Sequence, residues 1–255
     1  MQFKPQQGLW GQVRDALLFS SHPHPSTQPQ PFPLLQVGPF KSDPAIMAHQ
    51  IISVMIMTRS GLLGLRYWPS IRGTEDRLYG VLEEAEIVGI PNLAYQVYDL
   101  AATIAIAKLC KMEMVAHHII AVGLAYQLLR DEYCHYYAVF FLGLTELSSV
   151  PLSVVDIFKH FRELGDKYAG LNTALRLAFA VLFLLVRCIW WPLVSVQFYQ
   201  DTFESFSKGT VHDTGVVLFF LVSNILLTLL QWYWGFLIVR AALKMAQKVS
   251  IYLRN

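Results

Sequence analysis

The chain has 255 residues, 55% of them hydrophobic and only 15% charged, with a net charge of +2 and a mean hydropathy of +0.41. Soluble domains average about 25% charged residues, so this composition excludes a disordered tail protein, a collagen-like fibre and a nucleic-acid binder working through a basic surface. It predicts an all-α, multi-pass transmembrane helical bundle.

Residues 1–43 are rich in Gln, Pro, Ser and His, with Ser21-His22-Pro23-His24-Pro25 near their centre. Proline at that density removes backbone donors and fixes φ, so this segment is expected to be a disordered amino-terminal arm. His22 and His24 are expected to be spacer rather than metal ligands. No apolar core followed by a small-residue cleavage site occurs near the start, so insertion is expected to begin with the first spanning helix.

From Pro44 onward six charge-poor stretches approach the roughly 20 residues needed to cross about 30 Å of hydrocarbon. They are 44–65, 87–107, 112–129, 133–155, 177–200 and 214–239, the last without a charge. Ser148-Ser149-Val150-Pro151 predicts a kink in the fourth. Six crossings put both ends of the chain on one side. Lys and Arg residues on that side, Lys108, Lys111, Lys159, Arg162 and Lys167 among them, number twelve against six opposite. The excess predicts cytoplasmic termini and a cytoplasmic tail at 246–255. Cys110, Cys134 and Cys188 have no C-x-x-C spacing and read as reduced apolar fillers.

Function is sought at the ionisable residues inside these stretches, Asp99, His117, His118, Glu146 and Arg187, with Asn224 and Gln231 as uncharged companions. Each charge at the bilayer centre costs about 2.5 to 3.5 kcal/mol on insertion scales, so such side chains face the bundle interior. With Lys108 and Lys111 at one interface, helical rise places Asp99 roughly 14 Å and His117 roughly 9 Å below it, which permits contact across the hairpin. His117 and His118 project about 100° apart, and Glu113 with His117 lacks a third ligand at helical spacing. No metal is therefore expected. Two readings of the polar groups stand. In one, an imidazole does nucleophilic or general-base chemistry while a carboxylate orients it; in the other, the groups form an interhelical hydrogen-bond network without chemistry. Arg187 either clamps a lipid phosphate or carboxylate or pairs with Glu146 or Asp99. Trp190, Trp191 and Trp232-Tyr233-Trp234 read as interfacial or packing aromatics, with lipid-head contact the alternative.

Four passages, 95–100 around Tyr95, Tyr98 and Asp99, 114–120 around His117-His118, 183–192 around Arg187 and Trp191-Pro192, and 229–240 around Tyr233-Trp234, occur in an order and spacing that resembles the TLC domain family. That family comprises multi-spanning endoplasmic reticulum and plasma-membrane proteins and includes the ceramide synthases. The chain departs from the ceramide synthase subgroup in two places. Ala121 stands where Thr usually follows the His-His pair, and 145–156 keeps only Leu152 of H-D-x-x-D-x-x-L-E-x-x-K, with Glu146 a similar acid. Thr145-Glu146-Leu147-Ser148-Ser149 is similar instead to a segment of TLC domain-containing proteins outside that subgroup.

The resemblance implies a TLC-type bundle over 44–245, acting in lipid homeostasis or membrane lipid composition. With the depth match, it points to a polar intramembrane pocket at the candidate catalytic residues Asp99, His117, His118 and Glu146, and Arg187, Trp191 and Tyr233 are the candidate lipid contacts. Membrane lipids would be its partners, no cofactor is implied, and the chain would reside in the endoplasmic reticulum or plasma membrane. It leaves open an acyl-CoA-dependent N-acyltransferase of ceramide synthase type, in which one histidine of the pair takes the acyl group or an amine proton.

Overall fold

The computed structural model describes residues 42–254, so positions 1–41 of the expected arm, His22 and His24 included, lie outside the described residues. Helix α1 spans Pro44–Ser70 and tightens into one further turn, Ile71–Gly73. It begins on Asp43, whose carboxylate accepts the Ile46 N–H at 3.3 Å, with Pro44 in the first turn where no donor is needed. Helix α2 (Glu83–Ala105) opens with Glu83, Glu84 and Glu86, which complement the positive end of its dipole. After it come α3 (Met112–Asp131), α4 (His135–His160), the short α5 (Arg162–Lys167), α6 (Ala169–Lys208) and α7 (Thr214–Arg254). No strand occurs among the described residues.

Contacts at the helix ends show that the long helices run back and forth between the same two levels. At the first end Lys108 pairs with Asp43 at 2.7 Å, which holds the Asp43 carboxyl below the usual carboxylate range. Ser42 there shares a groove with His160 and Lys167. At the second end the Leu82 N–H donates to His135 Nδ1 at 3.1 Å, His135 Nε2 donates to the Leu128 carbonyl at 3.2 Å, and Tyr79 stacks on His212 at 3.9 Å.

Five of these helices, α1, α3, α4, α6 and α7, are long and apolar enough to cross a membrane. The second expected crossing forms as α2 but carries Asn92, Gln96, Asp99 and Thr103 on its buried face, which lowers its hydropathy below that of its neighbours. Its exposed Ile90 and Val97 continue the outer apolar surface made by Met55, Leu62, Leu193 and Leu229. The interior holds Ser60, Asn92, Thr145, Arg187 and Gln231. This polar-inside, apolar-outside arrangement is what lipid as a solvent requires. The helices also outrun their expected bounds, since α6 starts before 177 and α7 continues through 246–254.

The irregularity expected near Ser148-Ser149-Val150-Pro151 occurs as a change of helix type that begins earlier. Helix α4 widens to a π turn at Val139–Gly143, tightens to 3-10 over Leu144–Ser148, and resumes regular geometry at Ser149. Pro151 falls in the first turn of that last segment, where its missing donor is harmless. The irregular stretch coincides with a backbone-to-backbone approach to α1: a Cβ on Gly64 would lie 2.0 Å from the Leu144 nitrogen. All three cysteines are free. Cys134 is buried and Cys188 half-buried, as fillers should be, whereas Cys110 is exposed between α2 and α3.

The second end is fastened by Asp201 on α6. Arg77 Nε donates to its Oδ2 at 2.6 Å, Arg77 Nη2 donates to Oδ1, and the Tyr137 hydroxyl donates to the same carboxylate. Three charge-assisted bonds thus join the α1–α2 connection, α4 and α6. Asp201→Ala is expected to cost about 2 kcal/mol, after allowance for the partial exposure of Arg77. A thermal melt of purified Asp201→Ala that overlays wild type would show that the fastening contributes nothing.

Candidate functional site

Asp99 lies on the inward face of α2, one turn beyond Tyr95 and Gln96. Its Oδ1 accepts from His49 Nε2 at 2.7 Å and its Oδ2 is 3.4 Å from His118 Nε2, so one carboxylate is shared by imidazoles from α1 and α3. Gln96 Oε1 lies 3.0 Å from His118 Nδ1. A neutral His118 that donates from Nε2 to Asp99 accepts at Nδ1, which requires the Gln96 amide to present its N–H there. The Tyr95 hydroxyl donates to Ser53 Oγ at 2.8 Å, which in turn donates to the His49 carbonyl at 2.8 Å. Tyr98 stacks on the His49 ring at 5.9 Å.

Arg187 sits in a π-helical stretch of α6, Phe183–Trp190, and faces the 3-10 stretch of α4. Its Nη2 lies 3.3 Å from Glu146 Oε2 and 3.0 Å from Ser149 Oγ, and its Nε donates to Ser148 Oγ at 2.8 Å. The pair is 7% and 9% exposed, so both charges are out of solvent and matched to each other. Irregular turns on both helices move these side chains off the regular 3.6-residue register.

A cavity of about 70 Å³ lies between α3, α4, α6 and α7, with Gln96 of α2 also in its wall. One end is polar, lined by Gln96, His117, Glu146, Arg187 and Gln231. The shaft beyond it is mostly apolar, walled by Ala121, Leu124, Leu128, Phe141, Trp191 and Leu227, with Asn224 the polar exception, its Oδ1 accepting from the Tyr199 hydroxyl at 2.6 Å, and it reaches Cys134, Tyr137, Phe198 and Phe220 near the second end. From His117 to Leu128 the rise of α3 gives a depth of roughly 16 Å, close to half of a hydrocarbon core about 30 Å thick.

The sequence candidates therefore separate into two groups. His117 and Glu146 line the cavity, whereas Asp99 and His118 lie behind it in the α1–α2–α3 network. The hairpin contact available to Asp99 is made with His118 rather than His117, because adjacent helical residues point about 100° apart. His117 instead meets Trp234 edge-on at 5.7 Å. Arg187 is engaged by Glu146, the ion-pair alternative. Trp191 is a buried wall of the shaft whose Nε1 donates to Thr228 Oγ1 at 2.9 Å. Tyr233 is 54% exposed on the outer surface, and on its helix the cavity-facing residues are Phe220, Asn224, Leu227 and Gln231.

Two contributors were not among the candidates, His49 and Gln96. The sign of His49 was its place with Ser53 at i and i+4 within an otherwise apolar helix. Gln96, beside Asp99 on the polar face of α2, links the two groups, since it bonds His118 and also lines the cavity. Among the described residues no three His, Cys, Asp or Glu side chains converge where they could hold a metal ion.

The family model described as TLC domain matches residues 47–240. No curated protein and no solved structure matches the chain.

Removal of one member of the Arg187–Glu146 pair strands the other in hydrocarbon. Glu146→Leu is expected to cost about 3 kcal/mol or more, and Glu146→Leu with Arg187→Met to recover most of that loss. Thermal melts of the two single variants and the double variant check this; strictly additive losses would mean that the two charges do not depend on each other.

Proposed function

The chain belongs to the TLC domain family as a multi-pass integral membrane protein, and we propose that it binds a membrane lipid within its bundle and acts in lipid homeostasis. The observation that carries this reading is the cavity, with a hydrogen-bonding end and an apolar shaft about one leaflet deep. An acyl chain gains little hydrophobic free energy by leaving lipid tails for this shaft, because both surroundings are apolar. Selection therefore falls on packing in the shaft and on the polar groups at its head. The basic residues Lys111, Lys159, Arg162 and Lys167 gather at the first end, which supports a cytoplasmic placement of that end. Residence in the endoplasmic reticulum or plasma membrane follows from the family resemblance alone.

A second reading is favoured by one observation. His117 faces the cavity and its Nδ1 is buried without a protein partner, so this imidazole is placed to act as nucleophile or base on a carbonyl held there. In that reading the chain transfers an acyl group from acyl-CoA to an amine, and His118, committed to Asp99 and Gln96, supports the wall behind.

Two measurements separate the readings. Lipid extracted from the purified chain is expected to include a species bound in near one-to-one amount, and Ala121→Phe, which fills the shaft, to lower that yield several-fold without a drop in Tm. An unchanged yield from Ala121→Phe would count against the cavity as the binding site. An acyl-transfer assay with labelled long-chain acyl-CoA and a panel of sphingoid bases and lysophospholipids is expected to show no turnover. Transfer that His117→Ala abolishes, and His118→Gln retains, would replace binding with catalysis.

A further inference from the structure

Gln231 is 0% exposed on α7, and neither its Nε2 nor its Oε1 has a partner in the protein. It lines the polar end of the cavity together with His117, whose Nδ1 is also buried and unpartnered. A buried polar atom without a hydrogen bond is rare, and in hydrocarbon no bulk water is present to replace the missing partner. Three such atoms here belong to two residues that line one cavity. The charges at the same end are already satisfied: Glu146 and two serine hydroxyls meet Arg187, and two imidazoles meet Asp99.

We propose that Gln231 and His117 recognise an uncharged lipid head that carries both a hydrogen-bond donor and an acceptor, a carboxamide or an alcohol, and that phosphate-bearing heads are rejected. The proposal rests on the lipid-binding reading and names the class of ligand. A primary amide offers a donor and an acceptor side by side, which matches a second amide or a hydroxyl. The imidazole Nδ1 adds one further bond, as donor or acceptor according to its tautomer. A phosphate would bring a negative charge to a place with no uncommitted cation. To receive it, Arg187 would have to leave Glu146 and strand that carboxylate in a low-dielectric interior. The closed ion pair thus works against charged heads while the open amide favours neutral ones.

The test uses the full chain in nanodiscs and two photoreactive probes with the same chain, palmitoyl ethanolamide and palmitoyl lysophosphatidate. The ethanolamide is expected to label peptides of the cavity wall, within 117–128 or 220–231, about tenfold more strongly than the lysophosphatidate, competed by unlabelled ethanolamide. Gln231→Leu is expected to abolish that preference and, in lipid-free protein, to raise Tm, because it removes an unpaired buried amide. A glutamine that serves only the packing, or one held by a trapped water, would lower Tm on the same substitution. Equal labelling by the two probes, or unchanged labelling of Gln231→Leu, overturns the head-group assignment and leaves lipid binding standing. The absence of competable labelling by either probe overturns lipid binding itself and this assignment with it. The wild-type comparison of probes decides the matter even if Gln231→Leu does not fold.

Discussion

A charge in hydrocarbon must travel with its counter-charge, and the pairing of Arg187 with Glu146 is the point from which the rest of this bundle is arranged. Neither residue sits on a regular helix. Arg187 lies in a π-helical stretch and Glu146 in a 3-10 stretch, and Ser148 and Ser149 of α4 complete the guanidinium shell. The irregular part of α4 is also where Gly64 lets α1 come into backbone contact with Leu144. Distortion that would be unfavourable in an isolated helix is held in place here from both sides, by glycine packing against α1 and by the ion pair with α6.

The same solvent rule divides the interior into two compartments. Between α1, α2 and α3, polar groups bond mostly to one another: Asp99 is shared by His49 and His118, Gln96 meets the remaining ring nitrogen of His118, and Tyr95 closes onto Ser53, while Nδ1 of His49 is left without a protein partner. Between α3, α4, α6 and α7 most polar groups gather at one level, with Asn224 further along the shaft, and they border a small space. The first compartment is a joint between helices, and α2 is the least apolar of the long helices because it supplies most of that joint. The second holds a small cavity bordered by polar groups without protein partners. His117 and His118, adjacent in the chain, belong to different compartments because one residue of helical rotation carries a side chain round by about 100°.

The guest space is bordered by groups of opposite character. The ion pair is complete and offers a ligand little, whereas Gln231 and Nδ1 of His117 are incomplete. The far end of the shaft is firm. Tyr137 is part of its wall and also bonds Asp201, which Arg77 grips from the α1–α2 connection. A chain lying in the shaft would therefore meet a wall held by charge-assisted bonds at the second end, and a neutral polar cradle nearer the first.

Much of this architecture was legible in the residues. Composition and run length identified a helical membrane bundle, and the intramembrane Asp99, His117, His118, Glu146 and Arg187 fall in its interior as the cost of charge in lipid demands. Four motif passages indicated the family that the 47–240 match establishes. These features depend on hydrophobicity and local spacing, which a chain carries in one dimension. Partner choice does not. That Asp99 takes His49 across a separation of 50 residues, that Glu146 takes Arg187 rather than an imidazole, and that Trp191 and Gln231 line the cavity while Tyr233 faces outward were all decided by helix rotation and by the π and 3-10 turns of α4 and α6. Those turns arise from packing between helices distant in sequence, such as Gly64 against Leu144, and a rotation of a few tens of degrees is enough to move a side chain from one compartment to the other.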